Sequence, residues 1–324
     1  MTNRHLSRRV VLGTAVALTL PKGASAQAGA VRLIVAFPPG GPVDLVARLF
    51  GEQFSKDIGQ TVIVENKPGA NGQLAASETM RAAADGTTLW FSSVGAVAIN
   101  PALYDKLNYD MVRDFAPVSQ IANNVEVMCV SLKDPANTAA EFVANTKAAS
   151  AATAMGSSGI GSIPHLAIEQ LALSSGAKLL HVPYKGVAPV VSDVIGGHIA
   201  GVFLDVPGAV SFIDGKQVKP LGIGAPQRHP RYPEIKTFEE QGIKNIDTNN
   251  WYAIFVSIKT PPALVEMLNK TIRKSLETPE LRAKLIANGT EPAPSTPAEL
   301  AALLKHDTEK WGTLIRTRGI KIEQ

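Results

Sequence analysis

The sequence predicts an α/β protein built on parallel sheet, and three observations carry that prediction. Short apolar runs rich in β-branched residues, at 31–37, 61–65 and 88–91, alternate with amphipathic helical patterns, the signature of βαβ units. Three times a strand-like run enters a Gly, Ser or Pro turn and leaves as a helix: at 31–54, 152–172 and 179–195. A helix-rich tail, at 263–276, 280–288 and 297–316, follows two such blocks and points to a chain that returns to its first domain.

The first unit is the most informative. Val31 opens a buried-strand profile that ends at Phe37. Pro38 and Pro39 stiffen the turn, and Gly40 and Gly41 let the chain bend sharply with their N–H groups expected bare. Pro42 sits where helices accept proline, and Val46, Leu49, Phe50 and Phe54 recur at helical spacing. Bare amides at a helix N-terminus, reinforced by roughly half a positive charge from the helix dipole, form an anion site. A tight connection with no ligand is the alternative for this stretch alone.

The next strand, 61–65, runs into the turn chemistry of 66–72, and a helix is expected over 73–84. The strand 88–91 runs out into Ser92, Ser93 and Gly95, at the carboxyl end of a strand, where open α/β sheets bind ligands. Residues 100–118 read as a loop-rich connection, and 121–132 as one strand into a second domain. A helix is expected over 138–149. The Gly/Ser loop 156–162 follows the small-residue strand 152–155, with Ser162 as helix cap and Pro164 in the first turn. The turn 183–186 holds Tyr184, Lys185 and Gly186 and precedes a helix over 187–195, where Ala188 lies in the first turn. The strand 199–204 has Asp205 at its tip, 221–224 is a further short strand, and Trp251 opens the strand 251–257.

Composition excludes several classes. Arg4, Arg8 and Arg9 precede an apolar run of 11 residues, 10–20, then the small-residue pattern Ala24-Ser25-Ala26, an export signal with cleavage expected near Ala26. Residues 7–12 fit a twin-arginine signal; an ordinary Sec signal holding paired arginines is the other reading. The chain has 32 basic and 28 acidic residues, and the leader holds four of the basic ones and no acid. The exported chain is therefore near neutral, with no basic surplus for nucleic acid and no later run long and apolar enough to span a membrane. The single cysteine, Cys129, lies in a strand-like run and reads as a buried apolar residue, so no disulfide is expected.

The motifs FPPGGPVD from Phe37, KPGANG from Lys67, DGTTL from Asp85, NPALY from Asn100, GSSGIGSIPHL from Gly156 and HVPYKGVAPVVSDVIGGHI from His181 are similar to those of one family. The chain resembles the Bug-type extracytoplasmic solute receptors, the substrate-binding proteins of tripartite tricarboxylate transporters, over nearly its whole exported length. The resemblance implies a type II periplasmic binding protein fold, two α/β lobes around a hinge. Lobe 1 is expected to comprise 27–125 and 250–324, and lobe 2 residues 126–249. It implies periplasmic localisation, a small carboxylate ligand in the cleft, and a membrane transporter or sensor protein as partner. It implies neither enzyme activity nor a cofactor or metal, and a monomer is expected. In such receptors the loops matching 37–44 and 184–189 grip one carboxylate through backbone amides and water, which points to Gly40, Gly41, Asp44, Lys185, Gly186 and Ala188; Phe37 and Tyr184, in the same loops, are further candidates. His198, where the family often has glutamine, and the pair Val190-Val191, where smaller residues are usual, depart from the pattern.

Strand-end position adds Ser92, Ser93, Ser157, Ser158, Ser162 and Asp205 as candidates, and Trp251 as a cleft or hinge residue. Several conspicuous residues have a plain alternative. Asp44 aimed inward would repel a carboxylate, whereas capping helix amides would not. Lys185 in a turn can be solvated. His165 and His181 read as structural. An exported hydrolase is disfavoured because Gly156-Ser157-Ser158-Gly159 misses the Gly-x-Ser-x-Gly elbow by one place. A nucleotide binder is disfavoured because neither glycine loop matches a P-loop or GxGxxG.

Overall fold

The computed structural model describes residues 29–322; the expected export signal, residues 1–26, lies outside them. The chain opens with β1 (Val31–Val35), α1 (Pro42–Ile58), β2 (Val62–Asn66), α2 (Gln73–Arg81) and β3 (Thr88–Ser93). Residues 100–118, expected to be loop, instead hold the short helices α3 (Asn100–Leu103) and α4 (Met111–Asp114) and the start of β4 (Phe115–Asn123). The Asp110 side chain accepts from Val112 N and Arg113 N and so starts α4.

The single strand expected over 121–132 is two, β4 and β5 (Glu126–Ser131), in different sheets. The break falls at Asn124, whose backbone exchanges two hydrogen bonds with Asn250 on the returning chain. Next come α5 (Ala139–Ala148), β6 (Thr153–Ser157), α6 (Ile163–Ser175), β7 (Leu179–Pro183), α7 (Val187–Gly196), β8 (Gly201–Asp205), α8 (Val206–Asp214) and β9 (Val218–Ile223). The chain then crosses back into β10 (Tyr252–Ser257), α9 (Pro262–Glu277), α10 (Pro279–Ala287), β11 (Glu291–Pro292) and α11 (Pro297–Arg318). A full capping box between Thr296 and Glu299 starts α11.

The strands form two sheets, ordered β11-β4-β10-β3-β1-β2 and β7-β6-β8-β5-β9. The expected parallel pairing holds for β2-β1-β3 and β7-β6-β8, but both sheets are mixed. β10 lies antiparallel between β3 and β4, and β5 antiparallel between β8 and β9. Each antiparallel insertion uses a strand next to a crossing between the sheets, which a βαβ repeat does not reveal.

Apolar side chains cover both faces of each sheet. In the first, Phe50, Phe54 and Phe91 fill one face and Trp90, Phe255 and Trp311 the other. Ile163 and Leu166 of α6 join the second of these clusters, so α6 ties the two sheets together on one side. Cys129 is fully buried, and burial pushes its thiol above the ordinary value.

Close packing of α7 on β6 requires Gly156. A Cβ there would stand 2.3 Å from Val190 Cγ2 and 2.6 Å from Ile199 Cδ1. Gly156→Ala is expected to destabilise the protein by about 1–3 kcal/mol. Thermal unfolding checks this, and an unchanged midpoint would show that α7 can stand off the sheet.

Candidate functional site

Between the two sheets lies a cleft of about 620 Å³, within the range of small-molecule sites. A second recess, between α1 and α10, holds only about 10 Å³, room for a single water.

Four helices begin at the cleft: α1, α6, α7 and α8. They differ in how their first amides are occupied. Ser162 caps α6 by accepting from His165 N. At α1 and α7 no side chain caps the helix. The N–H groups of Gly41, Val43 and Asp44, and of Gly186, Val187 and Ala188, donate to no acceptor among the described residues. Two helix N-termini thus present open donors to one space, each with its dipole. Gly186 holds φ 107 and ψ −179, a conformation essentially closed to residues with a side chain.

The amide of Gly40, expected bare, is not. It donates to Asp44 Oδ2 at 2.9 Å. Asp44 is 3 % exposed and points behind the loop rather than into the cleft. It also accepts from Arg48 Nε at 2.9 Å and from Asn66 Nδ2 at 2.8 Å. Burial alone would raise its pKa, but the bonds from Arg48, Gly40 and Asn66 outweigh it and hold the carboxylate below its ordinary value. Asn66 Nδ2 reaches the Phe37 carbonyl as well, so one small network sets the shape of the whole turn.

Of the residues singled out in the sequence, Phe37, Gly40, Gly41, Ser93, Ser158, Ser162, Lys185, Gly186, Ala188 and Asp205 line the cleft. Five do not: Asp44, Ser92, Ser157, Tyr184 and Trp251. Side chains alternate along β3, so Ser93 faces the cleft while Ser92 is fully buried and its hydroxyl has no partner among the described residues. Ser157 is fully buried, with Oγ 2.6 Å from His181 Nε2. The Tyr184 hydroxyl donates to Asp193 at 2.6 Å and is pushed up to about 12, by desolvation and then by that carboxylate. Trp251 is fully buried just before β10 and donates its Nε1–H to Asp307 at 2.6 Å.

The Ser157–His181 contact does not make a nucleophile. Ser157 lies away from the cleft, and burial and the neighbouring His165 ring lower His181 to about 4. His165 stacks on His181 with ring centroids 3.6 Å apart and is itself held by the Gly161 amide on Nδ1.

Sequence reasoning missed the opposite wall. Phe203, Leu204, Gly208 and Phe212 from β8 and α8 line it, with Ile163 and Pro164 of α6. The helix α8 went unread, although Pro207 and the buried Val206 and Ala209 carry a helical signal. Asn71, in the KPGANG motif, also lines the cleft and is bound to Asn100, which contacts Tyr109. Asn250 lines it at the crossing between the sheets.

Among the described residues no three His, Cys, Asp or Glu side chains cluster as metal ligands, and no helix is long and apolar enough to cross a membrane.

Comparison with known proteins supports the motif resemblance. The family described as "Tripartite tricarboxylate transporter family receptor" matches residues 46–320. Protein BugT of Bordetella pertussis is 29% identical over 294 residues, covering 90% of each chain. The structure of Rpa4515 from R. palustris with adipate superposes with a TM-score of 0.83 at 28% identity, covering 90% of this chain and 98% of that one. MatC from Rhodopseudomonas palustris with bound malate gives 0.77 at 27% identity, covering 88% and 98%. These neighbours share the two-lobe solute-binding fold.

Proposed function

This chain belongs to the tripartite tricarboxylate transporter receptor family, a family of transport receptors rather than enzymes, and from that premise we propose that it captures a small carboxylate-bearing solute in the periplasm. One observation supports the reading most: the uncapped amides of α1 and α7 open into the same cleft. One carboxylate is gripped by the loops 37–44 and 184–189, with Gly41, Val43, Gly186 and Ala188 as the donors. Hydrogen bonds to a charged group are worth about 1.5–3 kcal/mol each. Lobe 1, residues 27–125 and 250–324, closes on lobe 2, residues 126–249, about the crossings at Asn124 and Asn250. The closed monomer delivers the solute to a tripartite tricarboxylate-type membrane transporter. Neighbours carrying adipate and malate support the ligand class.

The test is a thermal-shift screen of residues 27–324 against small carboxylates and their amides. An acid at 100 times its dissociation constant is expected to add about 2.7 kcal/mol of stability, with no shift from its amide. A protein stabilised equally by acid and amide, after refolding to remove carried-over ligand, would contradict the anion clamp.

A further inference from the structure

Glu126 is the first residue of β5, at one crossing between the sheets, and is fully buried. In the antiparallel register of β5 and β8 it stands directly opposite Asp205, which places their Cβ atoms about 4.5–5.5 Å apart on one face. Neither Glu126 carboxyl oxygen accepts a hydrogen bond among the described residues. The available donors are used on Asp205: Asn250 Nδ2 donates to Oδ1 at 2.7 Å and the Tyr252 hydroxyl to Oδ2 at 3.0 Å. Asp205 and Asn250 line the cleft; Glu126 lies behind them.

A fully buried carboxyl set against a second acid at the cleft edge, with no cation beside it, disfavours a second negative charge on the pair. The titratable groups facing Glu126 are Asp205 from β8 and Tyr252 from β10. Its other neighbours are the neutral Asn250, near its carboxyl, and Thr248, whose hydroxyl takes the Glu126 amide. No lysine or arginine among the described residues pairs with either acid.

We propose that Glu126 is a positioning residue of the solute site: it keeps its proton and donates a hydrogen bond to Asp205, so that the two acids carry a single negative charge and the Asp205 carboxylate is held at the edge of the cleft. Burial first, and then the charge of Asp205, push the Glu126 carboxyl well above its ordinary value, in the same sense. The device keeps a second negative charge away from a site that takes an anion; for an assumed separation of about 8 Å and an effective dielectric of about 20 such a charge would weaken binding roughly thirtyfold before salt screening. This consequence rests on the carboxylate reading above, whereas the shared proton does not.

The experiment compares wild type with Glu126→Gln, which keeps a donor, and Glu126→Leu, which keeps bulk without one. Infrared difference spectra at pH 8 are expected to show one protonated-carboxyl band in wild type that Glu126→Gln lacks. A group with a raised folded pKa contributes stability that is full below its unfolded pKa, about 4.3, and is lost as pH rises towards the folded one. Glu126→Gln is therefore expected to gain on wild type between pH 5 and 8 by up to about tenfold in the folding equilibrium per pH unit. Absence of the band together with parallel stability curves would overturn the shared proton. With adipate and malate as calorimetric probes, Glu126→Gln is expected to bind within about threefold of wild type, and Glu126→Leu about tenfold more weakly. Equal binding by Glu126→Leu, or a Glu126→Gln as weak as Glu126→Leu, would overturn the positioning role. If neither acid nor any other carboxylate binds wild type, the carboxylate reading fails while the spectra and stability curves still decide the proton.

Discussion

Asp44→Ala is expected to weaken solute binding at least tenfold although Asp44 does not itself line the cleft. The Asp44 carboxylate is the common acceptor for Gly40 N, Arg48 Nε and Asn66 Nδ2, and Asn66 in turn holds the Phe37 carbonyl. Removing it frees the 37–41 turn, and the amides of Gly41 and Val43 lose their common aim. Loss of a buried charged acceptor costs about 2–3 kcal/mol of stability, and affinity for any bound acid is expected to fall at least tenfold, or about 1.4 kcal/mol. Asp44→Asn can offer its oxygen to both Gly40 and Arg48, which share Oδ2, but sets its NH2 against the Asn66 donor on the other side, so it is expected to recover only part of the binding.

The pH dependence carries its own sign. A carboxylate whose folded pKa is depressed contributes stability above its unfolded value, about 3.9, and loses it as pH falls through the folded value. The advantage of wild type over Asp44→Asn should therefore hold at neutral pH and shrink below about pH 4. Calorimetry and thermal unfolding at pH 7 and pH 3 check both parts. Wild-type affinity in Asp44→Ala would mean that the turn keeps its shape on its prolines alone.

The second large effect falls on stability. Trp251→Ala is expected to cost about 3–5 kcal/mol, the range for deleting a large buried aromatic side chain. Trp251→Phe keeps most of the volume but strands Asp307, which is 3 % exposed and loses the indole donor to its Oδ2. That cost is about 1–3 kcal/mol. Burial already raises the Asp307 carboxyl, opposed by the Trp251 bond and by Lys310. Without the indole it rises further, so Trp251→Phe should be more damaging at pH 8 than at pH 5. Neither variant should change which acids bind. A Trp251→Phe protein with an unchanged midpoint and an altered ligand preference would return the indole to the cleft.

Much of the site was legible because glycine and proline act locally. Pro38 to Pro42 and the Lys185-Gly186 turn carry their conformations in their own backbones, and both turns line the cleft. The serines show where that reading stops. Ser92 and Ser93 are equivalent as strand-end residues, yet strand alternation sends only one into the cleft. Ser157 and Ser158 divide in the same way, the first captured by His181. The wall formed by the end of β8 and by α8 went unread because Phe203 and Leu204 are core side chains, buried on opposite faces of the sheet, and meet the cleft only at their strand end, while α8 itself was not foreseen.

By itself the sequence determined the α/β class, the family resemblance and the two Gly/Pro turns that present helix N-termini, since each follows from local periodicity or backbone freedom. Only the tertiary structure decided that both sheets are mixed, that Asp44 serves the Gly40 turn from behind, that Trp251 belongs to the core, and that Glu126 faces Asp205. Those facts depend on strand register and on which donor meets which acceptor across 22 to 79 residues of chain, and no local pattern encodes a partner that distant.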